Sequence, residues 1–352
     1  MIVDVVKVIV PAALAFSIGI LITPLLTHYL YKYRAWKRVG GKIALDGTEA
    51  QEFNKIHQKK EGTTPRMGGI VIWGSAIITM LGIFLVAKLF PSTATLKLDF
   101  LSREQTWIPL FTLLLGSLVG LINDFLDIWG DGNGLSLRRR LLFIVLMSSF
   151  IGWWFYSKLE ITTIGVPFDG AVTIGWLIIP FFVALSLALY ASGVIDGIDG
   201  LSGGVFASIF MAYAGIAFHQ GQINLAAFSA MLAGAVLAFL WFNVPPARFY
   251  MTETGTMGLT LTIAVIAFMT DTLGEGIGIA VLPIIGFLLL ITVASNILQV
   301  IWKRLRGRKL FRVAPVHHHF EAIGWPSYKV AMRYWILSII FALVGMIIAF
   351  IG

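Results

Sequence analysis

Long apolar blocks make up most of this chain, and short polar segments separate them. Ten blocks are long enough to cross a bilayer, at roughly residues 3–30, 67–90, 106–124, 139–158, 173–192, 202–219, 223–243, 256–271, 277–302 and 331–351. An apolar run of about 20 residues spans the hydrocarbon core as a helix. The pattern predicts an all-α, polytopic integral membrane protein whose residues 1–352 form one transmembrane domain. Pro24, Pro180 and Pro283 fall inside blocks and are expected to kink them. The first block carries Lys7 and a cleavage-like Ala13-Leu14-Ala15, but it stays apolar to about Tyr31 and so reads as a retained first helix.

Composition agrees: 58% of the 352 residues are hydrophobic and 12% charged, against about 25% charged in soluble domains. The absence of cysteine excludes disulfides and thiolate metal sites. A net charge of +8 raises the possibility of nucleic acid, but its placement argues for a bilayer instead. Of the 26 Lys and Arg residues, 21 lie on or beside the loops that follow the odd-numbered blocks. That bias places those loops in the cytoplasm and both termini outside. The polar clusters fall on the same side, in segments 31–66, 123–138, 190–204, 244–256 and 303–330.

Five clusters carry candidate chemistry. Tyr190–Gly204, YASGVIDGIDGLSGG, sets Asp196 and Asp199 among glycines between two apolar runs. An ionised Asp at a bilayer centre costs roughly 2.5–3.5 kcal/mol on insertion scales, so such residues are rarely idle. Lys59, Lys60 and Arg66 precede Gly68-Gly69 and suit an anion such as a diphosphate, or simply anchor the loop at the membrane surface. Asn123, Asp124 and Asp127 share one helical turn, with Asp124 and Asp127 on one face. Their oxygens suit Mg²⁺, which takes one or two carboxylates plus phosphate oxygens; helix-end polarity is the plainer reading. Trp241–Gly255 offers Tyr250 to stack on a base or sugar and Glu253 to bind a metal, or else belongs to an interfacial aromatic belt. Finally, His317, His318 and His319 lie between Pro315 and Gly324-Trp325-Pro326. Consecutive histidines in a strand or loop point apart, so phosphate contact or proton donation fits them better than one three-histidine metal site.

Taken together, these motifs resemble the phospho-N-acetylmuramoyl-pentapeptide-transferase family over nearly the whole chain. The most specific stretch is Leu305-Arg306-Gly307, Phe311-Arg312, Ala314-Pro315, His317-His318-His319, Gly324-Trp325-Pro326 and Arg333. Asp196-Gly197-x-Asp199-Gly200-Leu201, Pro65-x-Met67-Gly68-Gly69 and Trp241-x-Asn243 with Pro246-Ala247 match too. The resemblance implies ten transmembrane helices, a homodimer, and a site on the cytoplasmic face of the bacterial cell membrane. It implies Mg²⁺-dependent transfer of phospho-MurNAc-pentapeptide from UDP-MurNAc-pentapeptide to undecaprenyl phosphate, giving lipid I and UMP.

The same resemblance implies catalytic roles for Asp124, Asp196, Asp199, Glu253 and His318. It implies metal ligation by Glu253, Asp124 and Asp127. Substrate contacts are expected from Lys60, Arg66, Asn123, Asp196, Gly197, Tyr250, Gln299, His317, His318 and His319. Several positions depart from the family pattern, which has Asp for Asn123, Asn for Gly193, Asp for Glu253 and Thr for Arg66, and lacks one residue at Thr63-Thr64. Two rival readings are a sister transferase using UDP-GlcNAc, opposed by the histidine segment, and an ion-coupled transporter. The latter would set its carboxylates at the midplane within internal repeats.

Overall fold

The computed structural model describes residues 1–37, 54, 62–102, 104–130, 132 and 134–352, the Thr272 side chain excepted. In chain order its helices begin with α1 (Ile2–Lys32), α2 (Gly69–Leu89), α3 (Thr93–Leu98), α4 (Trp107–Trp129), α5 (Leu137–Lys158) and α6 (Ile178–Ala191). They continue with α7 (Leu201–His219), α8 (Ile223–Asn243), α9 (Thr252–Met269), α10 (Gly278–Ile285), α11 (Phe287–Arg306), α12 (Val316–Ala322) and α13 (Ser327–Ile351). Helices α3, α10 and α12 are short. The other ten are long and apolar enough to cross a membrane, one for each block read from the sequence. The chain is therefore an all-α multi-pass membrane protein.

Helix α9 is the centre of the bundle, since every one of its residues except Glu253 is buried. It packs against α2, α4, α6 and α10, while α1, α8, α7 and α13 pack in succession as a second layer that α2 joins to the first. Beyond its first turn, three threonine hydroxyls of α9 are satisfied within the helix. Thr256, Thr260 and Thr262 donate to the carbonyls of Thr252, Thr256 and Gly258 at 3.1, 2.8 and 2.7 Å, which removes the cost of polar groups in an apolar interior.

The tightest seam lies between α4 and α9. A Cβ placed on Gly120 would stand 2.0 Å from the Glu253 carbonyl oxygen, and one on Gly116 would stand 2.9 Å from Gly258 Cα. Small residues spaced by four let two helix backbones approach closely in a membrane. Asp124, one turn beyond Gly120, is thereby set against the first turn of α9.

Three features differ from the expectations of the sequence. Pro180 falls in the first turn of α6 after a 3₁₀ turn at Gly175–Leu177, where its missing N–H has no intrahelical partner to lose, so no kink is required. The ninth block is divided into α10 and α11 at Gly286 (φ −91, ψ 22). Pro283 removes one helical N–H there, and glycine resists helix propagation. Between α5 and α6 the chain forms an antiparallel hairpin of β1 (Thr163–Val166) and β2 (Gly170–Thr173), with Thr163 opposite Thr173. Its signal was present as Asp169-Gly170 between β-branched residues. The hairpin is tied to the bundle by Asp271, whose carboxylate accepts from Gly165 N–H at 2.7 Å and from Ile279 N–H of α10 at 2.9 Å.

Gly120→Ala should lower unfolding stability by about 1–3 kcal/mol, the usual cost of overpacking a filled site, as read by thermal denaturation in detergent. Gly82→Ala on α2, where an added Cβ meets nothing within 4 Å, should not lower the transition, since alanine favours the helix.

Candidate active site

Several separate segments meet at the first turn of α9. Thr252 opens that helix with φ 55, a left-handed conformation that a β-branched residue rarely adopts. Such strain costs on the order of 1–3 kcal/mol and persists only where surroundings impose it. Here they do. The Thr252 N–H donates to Asp196 Oδ2 at 2.8 Å, and its hydroxyl donates to Asp124 while accepting from Met67 N–H at 3.2 Å. Asp124 Oδ2 also accepts from the N–H and hydroxyl of Thr254 at 2.9 and 2.6 Å. Two N–H groups at the start of α9, which have no intrahelical acceptor, are thus satisfied by carboxylates from two other segments.

A backbone strap completes the junction. Tyr250 N–H donates to Pro65 O and Gly68 N–H to Tyr250 O, both at 2.8 Å, and Gly69 N–H donates to Met251 O at 3.2 Å. The strap brings Arg66 onto α4, with Nη2 at 3.7 Å from Asp124 Oδ1 and 3.3 Å from Asp127 Oδ2. Lys37, following α1, holds the other Asp127 oxygen at 3.5 Å. Glu253 is met from two helices. Arg140 Nη1 of α5 lies 2.5 Å from its Oε1, and the Tyr190 hydroxyl of α6 donates to the same oxygen at 3.2 Å.

Asp196 also accepts from the Ser202 hydroxyl at 2.7 Å, and buried Asp199 accepts from Ala247 N–H at 3.2 Å. Asn243 ties the same segments together, accepting from Gly200 N–H at 2.9 Å and donating to Phe249 O at 2.8 Å. The histidines reach this assembly at Gly197. A Cβ there would stand 2.6 Å from His318 Nε2 and 2.8 Å from His317 Nε2, so only glycine admits both rings. They ride on helix α12 rather than on a strand or loop. Successive helical residues turn by about 100°, so the three rings still fan apart. His318 Nδ1 is 2.7 Å from Glu321 Oε2, and the Ser327 hydroxyl donates to Glu321 Oε1 at 2.6 Å. This orients the ring so that Nε2 faces the aspartate segment.

These segments lie at the end of α1, the start of α2, the end of α4, the starts of α5 and α9, and the ends of α6 and α8. The alternation of ends and starts gathers them at one end of the bundle.

Known proteins of similar sequence point to one family. Residues 106–271 match the family described as Glycosyl transferase family 4. Over nearly the full chain, the sequence is 32% identical to a phospho-N-acetylmuramoyl-pentapeptide-transferase of Geobacillus sp. (strain WCH70), covering 95% of each. It is 33% identical to that of Anoxybacillus flavithermus, covering 96% of each, and 31% identical to that of Bacillus subtilis (strain 168), covering 95% of each. The chain belongs to the phospho-N-acetylmuramoyl-pentapeptide-transferase family. It is a membrane-embedded glycosyl-1-phosphate transferase.

Within this transferase the expected site residues divide into three groups. Arg66, Asp124, Asp127, Asp196, Gly197, Tyr250, Glu253, His317 and His318 belong to the junction or touch it. Asn123, Asp199 and Gln299 have structural commitments, that of Asp199 being to Ala247 N–H. Asn123 Oδ1 accepts from Leu135 N–H at 2.9 Å and its Nδ2 donates to Asp124 Oδ1 at 3.4 Å. The Gln299 amide accepts from Leu310 and Phe311 N–H at 3.0 and 2.9 Å and donates to Phe311 O at 3.0 Å. His319 Nδ1 accepts from Arg312 N–H at 3.2 Å, so it braces the same loop. Lys60 lies outside the described residues.

Sequence reasoning missed Thr252, Thr254, Lys37, Arg140, Tyr190 and Glu321. Glu321 had a legible signal in its i+3 spacing from His318. Arg140 and Lys37 had been counted only as topogenic charge.

Asp124→Ala should strand the Thr254 N–H and two hydroxyls in a buried place, costing about 1–3 kcal/mol. Asp124→Asn keeps an acceptor oxygen and should cost less. Thermal unfolding in micelles reads both, and an unchanged midpoint for Asp124→Ala would deny the cap any energetic role.

Proposed function

We propose that this protein transfers phospho-MurNAc-pentapeptide from UDP-MurNAc-pentapeptide to undecaprenyl phosphate at the cytoplasmic face of the bacterial cell membrane, releasing UMP and forming lipid I. The observation that carries the reading is the Thr252 junction, which joins Asp124 and Asp196 beside Glu253 and is linked through Gly197 to the imidazoles of His317 and His318. The names of the relatives support the transferred group, phospho-N-acetylmuramoyl-pentapeptide, and the distribution of Lys and Arg supports the cytoplasmic face.

The donor set fits a hard divalent ion. Among the described residues the candidate ligand atoms at the start of α9 are carboxylate, hydroxyl and carbonyl oxygens, and thiols are absent from the chain. Among the described residues no three acidic or imidazole groups converge to hold a metal. The protein alone would therefore supply at most a few oxygens, with phosphate and water completing the shell, as is the habit of Mg²⁺. Glu253 would be the principal ligand, with Asp124 and Asp127 beside it. Bound there, Mg²⁺ would neutralise the diphosphate and the departing UMP.

The protein's own groups then have separable tasks. A phosphate oxygen of undecaprenyl phosphate attacks the β-phosphorus in line, forming the new P–O bond as the bond to the α-phosphate oxygen breaks and UMP leaves. The lipid phosphate has a second pKa near ~6 and is largely ionised at neutral pH, so no carboxylate is needed as base. Asn123, which cannot take a proton, is compatible with this. Arg66 offers its guanidinium to phosphate, Tyr250 its ring to uracil, and His318, oriented by Glu321, its Nε2 to sugar or phosphate.

UMP release by purified protein given undecaprenyl phosphate should require both UDP-MurNAc-pentapeptide and Mg²⁺, and EDTA should stop it. Glu253→Gln should lower turnover by at least about a hundredfold, the scale of losing one charge-stabilising group. Faster turnover of UDP-GlcNAc than of the muramoyl donor would move the protein to the sister activity. Near-normal Glu253→Gln turnover would remove that residue from the metal.

A further inference from the structure

Guanidinium groups already cover the carboxylates to which the metal is assigned. Arg140 Nη1 stands 2.5 Å from Glu253 Oε1, and Arg66 Nη2 bridges Asp124 and Asp127 at 3.7 and 3.3 Å. Asp124 bonds to Thr252 and Thr254, the residues on either side of Glu253, so both guanidiniums flank the same helical turn. Each also holds a donor in reserve. The Nε–H of Arg66 and that of Arg140 are buried and find no hydrogen-bond partner among the described residues. Buried donors are rarely left unmet, and two such groups beside one carboxylate cluster call for an acceptor that arrives with a ligand. Arg140 retains a way out, because its side chain is 22% exposed at the start of α5.

We infer that Arg140 is the resident counter-cation of Glu253 in the donor-free protein, and that the diphosphate of the donor draws its guanidinium away. The inference rests on the assignment of Glu253 to the metal. Carboxylate and phosphate both match the guanidinium fork, but a diphosphate carries more charge and more acceptor oxygens, enough to engage the unmet Nε–H as well. When Arg140 turns to phosphate, Glu253 keeps the Tyr190 hydroxyl on Oε1 and loses the positive charge that repels a metal ion. Divalent-ion affinity is therefore low until the donor is present, and the two bind cooperatively. A bare carboxylate site would instead charge with metal before any substrate arrived.

The test is Mn²⁺ titration of donor-free, detergent-purified protein, read by electron paramagnetic resonance without any turnover. Arg140→Gln should bind Mn²⁺ at least about tenfold more tightly than the wild-type chain, because a positive charge in contact with the ligand has been removed. Arg139→Gln removes the same charge from an exposed neighbour in the same run and should leave the affinity unchanged. Arg140→Lys keeps the charge without the fork and should fall between, which preserves the test if the Gln variant does not purify. Equal or weaker binding by Arg140→Gln overturns the inference, while loss of Mn²⁺ binding in Glu253→Gln still upholds the metal assignment. Absence of Mn²⁺ binding in every variant overturns both.

Discussion

Two carboxylates from different segments, Asp124 and Asp196, cap the start of the most buried of the described spanning helices. Much of the architecture follows from that constraint. A helix that begins inside a bundle exposes N–H groups that water cannot reach, and each must find an acceptor or impose a penalty. Helix α9 obtains its acceptors from α4 and from the aspartate segment between α6 and α7. Those two segments must therefore approach its first turn, and the glycine seam between α4 and α9 makes the approach possible. Structural necessity and candidate chemistry coincide at one place, since the residue left facing outward by this capping is Glu253.

Charge balance is the second theme. Asp124, Asp127 and Glu253 would repel one another in a region of low dielectric, and Arg66, Lys37 and Arg140 answer them. Buried ion pairs recover their desolvation cost only when geometry and additional hydrogen bonds are good. Asp124 meets that condition through three donors on one oxygen. The pairs on Asp127 and Glu253 are partly open to water. The cluster thus grades from a fixed, saturated carboxylate to looser ones, and the looser ones are where exchange of partners with a phosphorylated ligand is cheapest.

Much of this was legible in the sequence. Ten apolar blocks gave ten long helices, and the polar clusters between them are the segments that meet. Period and composition carry that information because lipid permits so few spanning structures. What escaped notice has physical reasons. Arg140 pairs with a residue 113 positions away, and no local pattern encodes such a pairing. Thr252 occupies a left-handed conformation that its side chain disfavours, so propensity argued against the very residue at the junction. Pro283 marked a bend in the ninth block, but the division falls three residues later at Gly286, and the hairpin at 163–173 carried its turn signal in the short gap between two apolar blocks.

The carboxylate of Asp271 gives α9 a second mooring at its far end, through the hairpin and the first turn of α10. A rod fastened at both tips cannot act as a piston. Axial sliding of α9 would break bonds at both of its ends, so side-chain swings around Glu253 are the cheaper response to a ligand arriving there.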